Sequence, residues 1–191
     1  SLLSLTAVCP HFKLTTLDLS SWKVDNVTSM ANMFNGCSKL TTLNISNWNV
    51  GKLTNASTMF RSCNVLKNLD LSQWKTTDAL TNMSGMFSSC RALTSVDLSN
   101  FNTSKVTNMS QLFFDCRNLT TVDLSNFDTS KVTSWEKINV DKLTNIGLVY
   151  ASSSTINSIV TNWLGTSVAR NIYYMDAEPS ELTTQTNITY L

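Results

Sequence analysis

The chain has 191 residues, enough for one sizeable core, with 42% hydrophobic residues, 14% charged residues and a net charge of +1. That balance speaks against strong binding to nucleic acid or an anionic membrane. A lone histidine, His11, speaks against zinc chemistry and most histidine-dependent hydrolases.

Ser, Thr and Asn number 26, 26 and 21, so neutral polar groups must make most of the surface. No apolar run approaches a membrane span. The opening Ser1-Leu2-Leu3 does not read as a signal peptide. In chain order, residues 1–13 come first. Cys9 precedes Cys37 by 28 residues, so this segment reads as a partial N-terminal rung or cap.

Residues 14–135 repeat themselves. Leu14, Leu40, Leu66, Leu93 and Leu119 open near-identical strings at spacings of 26, 26, 27 and 26 residues. Cys37, Cys63, Cys90 and Cys116 close the second half of the first four. The extra residue of the third copy falls between Trp74 and Leu80 and reads as a loop insertion. A unit this short cannot bury its own apolar side, so the copies are expected to stack as a solenoid.

Two periodicities operate within each copy. Leu17 and Leu19 alternate with Thr16, Asp18 and Ser20, which predicts a short strand with one buried face. Val27, Met30, Met33, Phe34 and Cys37 follow spacings of three and four, which predicts a short helix or helical turns. The fold class expected is α/β, with parallel strands about 4.8 Å apart. Trp22, Trp48, Trp74, Phe101 and Phe127 should form a buried aromatic ladder at the corner after the strand. The four repeated cysteines should form a ladder of buried thiols, not a disulfide framework.

Beyond residue 135 the pattern loosens. Residues 136–175 read as divergent rungs, with strands near Leu143, Ile146 and Leu148 and near Ile172 and Tyr174, and a helix around Ile156, Ile159, Val160 and Trp163. Residues 176–191 read as a cap or tail with a last strand over Asn187 to Tyr190. An exposed tail strand is the rival reading, joining a partner or a second copy of the chain.

The outward strand positions are the candidate binding face. They are Thr16, Asp18, Ser20, Thr42, Asn44, Ser46, Asn68, Asp70, Ser72, Ser95, Asp97, Ser99, Thr121, Asp123 and Ser125. Such a polar sheet suits a protein or carbohydrate partner. It also suits plain structural bonding, because Asp accepts hydrogen bonds from its neighbours. The Asp ladder resembles a row of calcium ligands, but side chains on a flat sheet converge poorly, and no metal site is expected. Almost every acid has a repeated copy, which disfavours a singular catalytic pair. No catalytic residue and no cofactor are expected. Asn55, Asn82 and Asn108 recur before the Met-Phe segments, where helix initiation or turn hydrogen bonding explains them.

The strings LTTLDLSSW…VTSMANMFNGCSKL, LTSVDLSNFNTSKVTNMSQLF and LTTVDLSNFDTSKVTSW resemble the BspA-type leucine-rich-repeat surface proteins. They are most similar to the subfamily with 25–27-residue repeats found in Mycoplasma, Lactobacillus, other bacteria and some phages. The resemblance implies a right-handed leucine-rich-repeat solenoid of about seven rungs. Strands at 14–20, 40–46, 66–72, 93–99 and 119–125 would line its concave sheet, and the Met-Phe-x-x-Cys segments its convex side. It departs from ordinary leucine-rich repeats by placing Trp or Phe where the motif has Asn.

The resemblance further implies a secreted or surface-exposed protein that adheres to host proteins or cells, without enzymatic activity. The expected function is therefore a non-enzymatic surface binding module or adhesin for a protein or glycan. A virion role, such as phage receptor binding, is a variant. A structural or assembly domain is the alternative, and a hydrolase hidden in the C-terminal rungs is a remote one.

Overall fold

The computed structural model describes residues 13–134, 145–147, 154–155, 171–174 and 188–190. Seven short strands lie among them: β1 (Thr16–Asp18), β2 (Thr42–Asn44), β3 (Ser95–Asp97), β4 (Thr121–Asp123), β5 (Asn145–Gly147), β6 (Asn171–Tyr174) and β7 (Ile188–Tyr190). All pairings are parallel, in a two-stranded sheet β1-β2 and a five-stranded sheet β3-β4-β5-β6-β7. Leu17 lies opposite Leu43, and Val96 opposite Val122, as the repeat spacing requires. β7 pairs with β6 of its own chain, with Ile172 opposite Ile188. Residues 1–12 of the expected 1–13 cap, the helix around Ile156 to Trp163 and most of residues 136–191 fall outside the described residues.

The strands are three or four residues long, shorter than the seven-residue spans expected. The third copy, expected to carry a strand over 66–72, has none, and the two sheets separate there. One position sets this copy apart. Thr41 Oγ1 donates to Thr15 O at 2.9 Å, and Thr120 Oγ1 donates to Thr94 O at 3.2 Å, reinforcing the backbone bonds beside them. The third copy has Lys67 at that position and Asn68 after it. Lysine has no hydroxyl with which to fasten the segment to the second copy. Among the described residues, one backbone–backbone bond ties segment 66–72 to a neighbouring copy, from Thr94 N–H to Lys67 O at 3.3 Å.

A second line of contact runs across the copies without a break. Parallel bridges join Ser29 to Asn55, Asn55 to Asn82, Asn82 to Asn108 and Asn108 to Ser134. The residue before each bridge is always Thr. Oγ1 of Thr54, Thr81, Thr107 and Thr133 donates to the carbonyl of Thr28, Thr54, Thr81 and Thr107 in turn.

The Met-Phe segments that follow are not helices. Among the described residues only Ser154 and Thr155 are α-helical. Segments 31–36, 57–62, 84–89 and 110–115 are runs of turns. Each holds two residues with left-handed backbone: Asn32, Thr58, Gly85 and Gln111 at one position, and Gly36, Ser62, Ser89 and Asp115 four residues on. A right-handed helix cannot pass through such residues. Alternate amides reach the next copy instead: Met30, Asn32, Phe34 and Gly36 N–H donate to Asn55, Ser57, Met59 and Arg61 O. The amides between close local turns, as in Met33 N–H to Met30 O and Cys37 N–H to Phe34 O. Apolar spacings of three and four survive in this ribbon, which is why the pattern imitates a helix.

Between the two lines lies a dry core. Met30, Met33, Phe34, Phe60, Met86, Phe87, Leu98 and Leu112 are fully buried. Phe34, Phe60, Phe87 and Phe113 stack in one column at centroid spacings of 5.5, 5.7 and 5.5 Å. Trp48, Trp74 and Phe101 form a second column at 6.0 and 6.3 Å. The indole N–H of Trp48 donates to Leu19 O, and that of Trp74 to Ile45 O, so a buried Trp is satisfied by the preceding copy. Trp22 departs from the expected ladder, being 43% exposed.

Cys63, Cys90 and Cys116 are free and buried, and each thiol donates to a Phe carbonyl of the preceding copy. Burial pushes the Cys63 and Cys116 thiols up to about 12, and Cys90 also well upward. Cys37 does not belong to this thiol ladder as expected, because it is disulfide-bonded.

Candidate binding face

The fifteen outward strand positions divide by column. Thr16, Thr42, Asn68, Ser95 and Thr121 are all exposed. So are Asp18, Asp70 and Asp97, while Asn44 and Asp123 are half-buried. The serines lie deeper: Ser20, Ser46, Ser72 and Ser99 are half-buried and Ser125 is buried. Thr16, Asp18, Thr42 and Asn44 belong to the two-stranded sheet. Ser95, Asp97, Thr121 and Asp123 belong to the larger one, and Asn68 and Asp70 lie between.

The serine depth has a local cause. Each Asp or Asn closes a turn by accepting bonds from the serine two residues on. Ser20 N–H reaches Asp18 Oδ1 at 2.9 Å and Ser20 Oγ reaches it at 2.7 Å. Ser72 repeats this on Asp70, Ser46 on Asn44 and Ser125 on Asp123, and the Ser99 amide on Asp97. These turns follow the strand positions and occupy one side-chain oxygen of Asp or Asn per copy. The second oxygen of Asp18 accepts from Asn44 Nδ2 at 3.1 Å. Hydrogen bonds from the Ser20 hydroxyl, the Ser20 amide and Asn44 hold the Asp18 carboxyl below its ordinary value. The Ser72 hydroxyl and amide do the same for Asp70. Asp18 and Asp70 are therefore ionised at pH 7, interleaved with hydroxyl and amide groups.

Two shallow depressions lie at the corner beyond the serines. One, of about 390 Å³, is lined by Ser46, Asn47, Trp48, Asn49, Gln73 and Lys75. The other, of about 360 Å³, is lined by Lys75, Asn100, Phe101, Asn102 and Asn126. They share Lys75 and an amide-rich rim. Neither lining contains an acid, a histidine or a cysteine. Sequence reasoning missed these depressions: an aromatic stripe can be a glycan platform or core, the regular apolar position favours core, and the polar residues on either side of it carry no signal of their own. The turn role of Asn55, Asn82 and Asn108 holds: each side-chain oxygen accepts the amide of Ser57, Ser84 or Ser110.

Among the described residues no group of three or more His, Cys, Asp or Glu is placed to hold a metal ion, and no helix is long and apolar enough to cross a membrane.

A family model described as a Mycoplasma protein of unknown function, DUF285, matches residues 8–95 and again 69–178. No curated protein and no solved structure matches the chain.

Proposed function

We propose, from the premise that the chain belongs to the DUF285 family, that it is a non-enzymatic binding module displayed outside the cell. The strand face is its recognition surface, and the partner is a protein or glycan of a host or neighbouring cell. One observation carries the reading: exposed Thr or Ser and outward Asp or Asn side chains recur at one register in the paired parallel copies, over an apolar core. A partner with a regular array of donors and acceptors would meet the same groups several times. Many weak contacts then act together.

The finer reading is a BspA-type leucine-rich-repeat solenoid. Parallel registers one copy apart and the uninterrupted bridges support it. Its regular part would run over 14–135, with residues 1–13 and 176–191 as caps and 136–175 as divergent rungs. The disulfide at Cys37 supports an extracellular setting, since such bonds persist in oxidising compartments. A virion surface is a variant of the same reading. A structural or assembly role is the second reading, favoured by the sheet β3-β4-β5-β6-β7, which continues to the last described strand.

A glycan and protein array probed with the intact chain tests the first reading. The double variant Asp70→Ala, Asp97→Ala should lose at least tenfold in affinity for whatever the array captures, with an unchanged circular dichroism spectrum. Retained binding would remove the strand face from consideration.

A further inference from the structure

Charge is sorted between the two lines of the molecule. Strand segments 14–20, 40–46, 66–72, 93–99 and 119–125 carry Asp18, Asp70, Asp97 and Asp123 against one base, Lys67. Turn segments 31–40, 57–66, 84–93 and 110–119 carry Lys39, Arg61, Arg91 and Arg117 against one acid, Asp115.

That acid is built into a clamp. Asp115 sits in left-handed backbone, at φ 59°. Its Oδ2 accepts from Arg91 Nε at 2.8 Å and its Oδ1 from Arg117 Nε at 2.5 Å. The two arginine side chains nevertheless stay 49% and 66% exposed. With Nε engaged, the terminal Nη nitrogens of both guanidinium groups have no protein partner among the described residues. One carboxylate thus holds two guanidinium groups near each other and cancels only one of their two charges. Much of the side-chain entropy that a surface arginine loses on catching an anion is already lost. Phe114, beside Asp115, is one of three large apolar side chains exposed among the described residues, and Val65, on the turn of the second copy, is another. Arg61, also exposed, extends the same edge.

We propose that this turn edge binds an acidic polysaccharide, a linear chain of sugars bearing carboxylate or sulfate groups. Arg91 and Arg117 take one anionic group in a bidentate grip, Arg61 takes another further along, and Phe114 lies against the apolar face of a sugar ring. Planar guanidinium forks match carboxylate and sulfate geometry, so a few of them suffice. Nucleic acid fits less well. Single-stranded nucleic acid binds by stacking successive bases on several aromatic rings, and among the described residues this edge exposes one, Phe114. The proposal is independent of the strand-face reading and concerns a different set of side chains.

Calorimetric titration of the intact chain with heparin, polygalacturonate and neutral dextran, at two salt concentrations, tests it. Heparin, polygalacturonate or both should bind, more weakly at the higher salt, and dextran should not. Which of the two binds tells sulfate from carboxylate. The double variant Arg91→Ala, Arg117→Ala should weaken binding at least tenfold, while Lys105→Ala, which removes an exposed charge outside the turn segments, leaves it within twofold. Arg91→Lys, Arg117→Lys keeps the charge but loses the fork, and should weaken binding several-fold. This variant decides the matter if the alanine variant fails to fold. The proposal is overturned if neither acidic polysaccharide binds, if the lysine variant binds as the parent does, or if single-stranded DNA or anionic vesicles bind more tightly.

Discussion

The strand line and the bridge line are drawn from the same copies, in the same order, at the same spacing, yet one is interrupted and the other is not. On the bridge line, Thr28, Thr54, Thr81, Thr107 and Thr133 supply a threonine in every copy, and bridges link all of them. On the strand line the corresponding column reads Thr15, Thr41, Lys67, Thr94, Thr120, and the sheet separates at the lysine. Repetition alone therefore does not make a continuous sheet. A threonine hydroxyl reinforces the pairing of β1 with β2 and of β3 with β4, and the third copy lacks it.

The sharpest way to separate the two lines is alkali. The free thiols lie in the turn segments that follow the bridges, and burial raises them from an ordinary value of 9.0 to about 12 for Cys63 and Cys116. An unfolded thiol ionises first, so this stabilisation is complete below pH 9 and is lost as pH rises toward 12. Each thiol should cost about 1.4 kcal/mol per pH unit in that window. Urea titrations at successive pH values should show the loss. Iodoacetamide should leave Cys63, Cys90 and Cys116 unmodified in the folded chain at pH 8 and alkylate all three after unfolding.

Next in size is Trp74→Ala. In the third copy the strand side lacks its sheet bonds, and Trp74, stacked between Trp48 and Phe101, supplies the packing there. Its removal should cost about 3–5 kcal/mol. It should also speed hydrogen exchange on the strand side of the third copy more than at the bridge amides Ala56 and Met83. Equal acceleration on both sides would show that the lines unfold as one.

The smallest effects come from a reciprocal pair. Thr81→Val deletes one hydroxyl clamp from the bridge line and should destabilise by about 1 kcal/mol. Lys67→Thr supplies the missing clamp and should stabilise by up to about 1 kcal/mol, with new exchange protection across 67–71. If Lys67→Thr stabilises nothing, the interruption has another origin, and Asn68 is the next residue to change.

Much of this was legible in the residues. Repeated Leu and Cys anchors located the copies, and the alternation around Leu17 and Leu19 marked where strands pair. The Asp-x-Ser spacing admitted the turn that Asp18 and Ser20 form. A short helix and helical turns were both open, because spacings of three and four belong equally to a helix and to a ribbon of turns. Left-handed positions decide between them, and of the eight only Gly36 and Gly85 announce themselves; Thr58 and Ser62 do not. The disulfide was hidden by repetition, since Cys37 occupies the same position as three cysteines that remain thiols. The Arg91–Asp115–Arg117 clamp was invisible because its members belong to two copies.

The side-chain bonds between copies have a further consequence. Nearly all of them span 24 to 30 residues, one copy at a time, such as Asn49 to Asp25 and Cys90 to Phe60. No contact of this kind requires a particular total length. An in-frame duplication or deletion of one whole copy brings like residues opposite like residues again, and leaves the dry interior closed. In coding terms such a step is 26 or 27 codons.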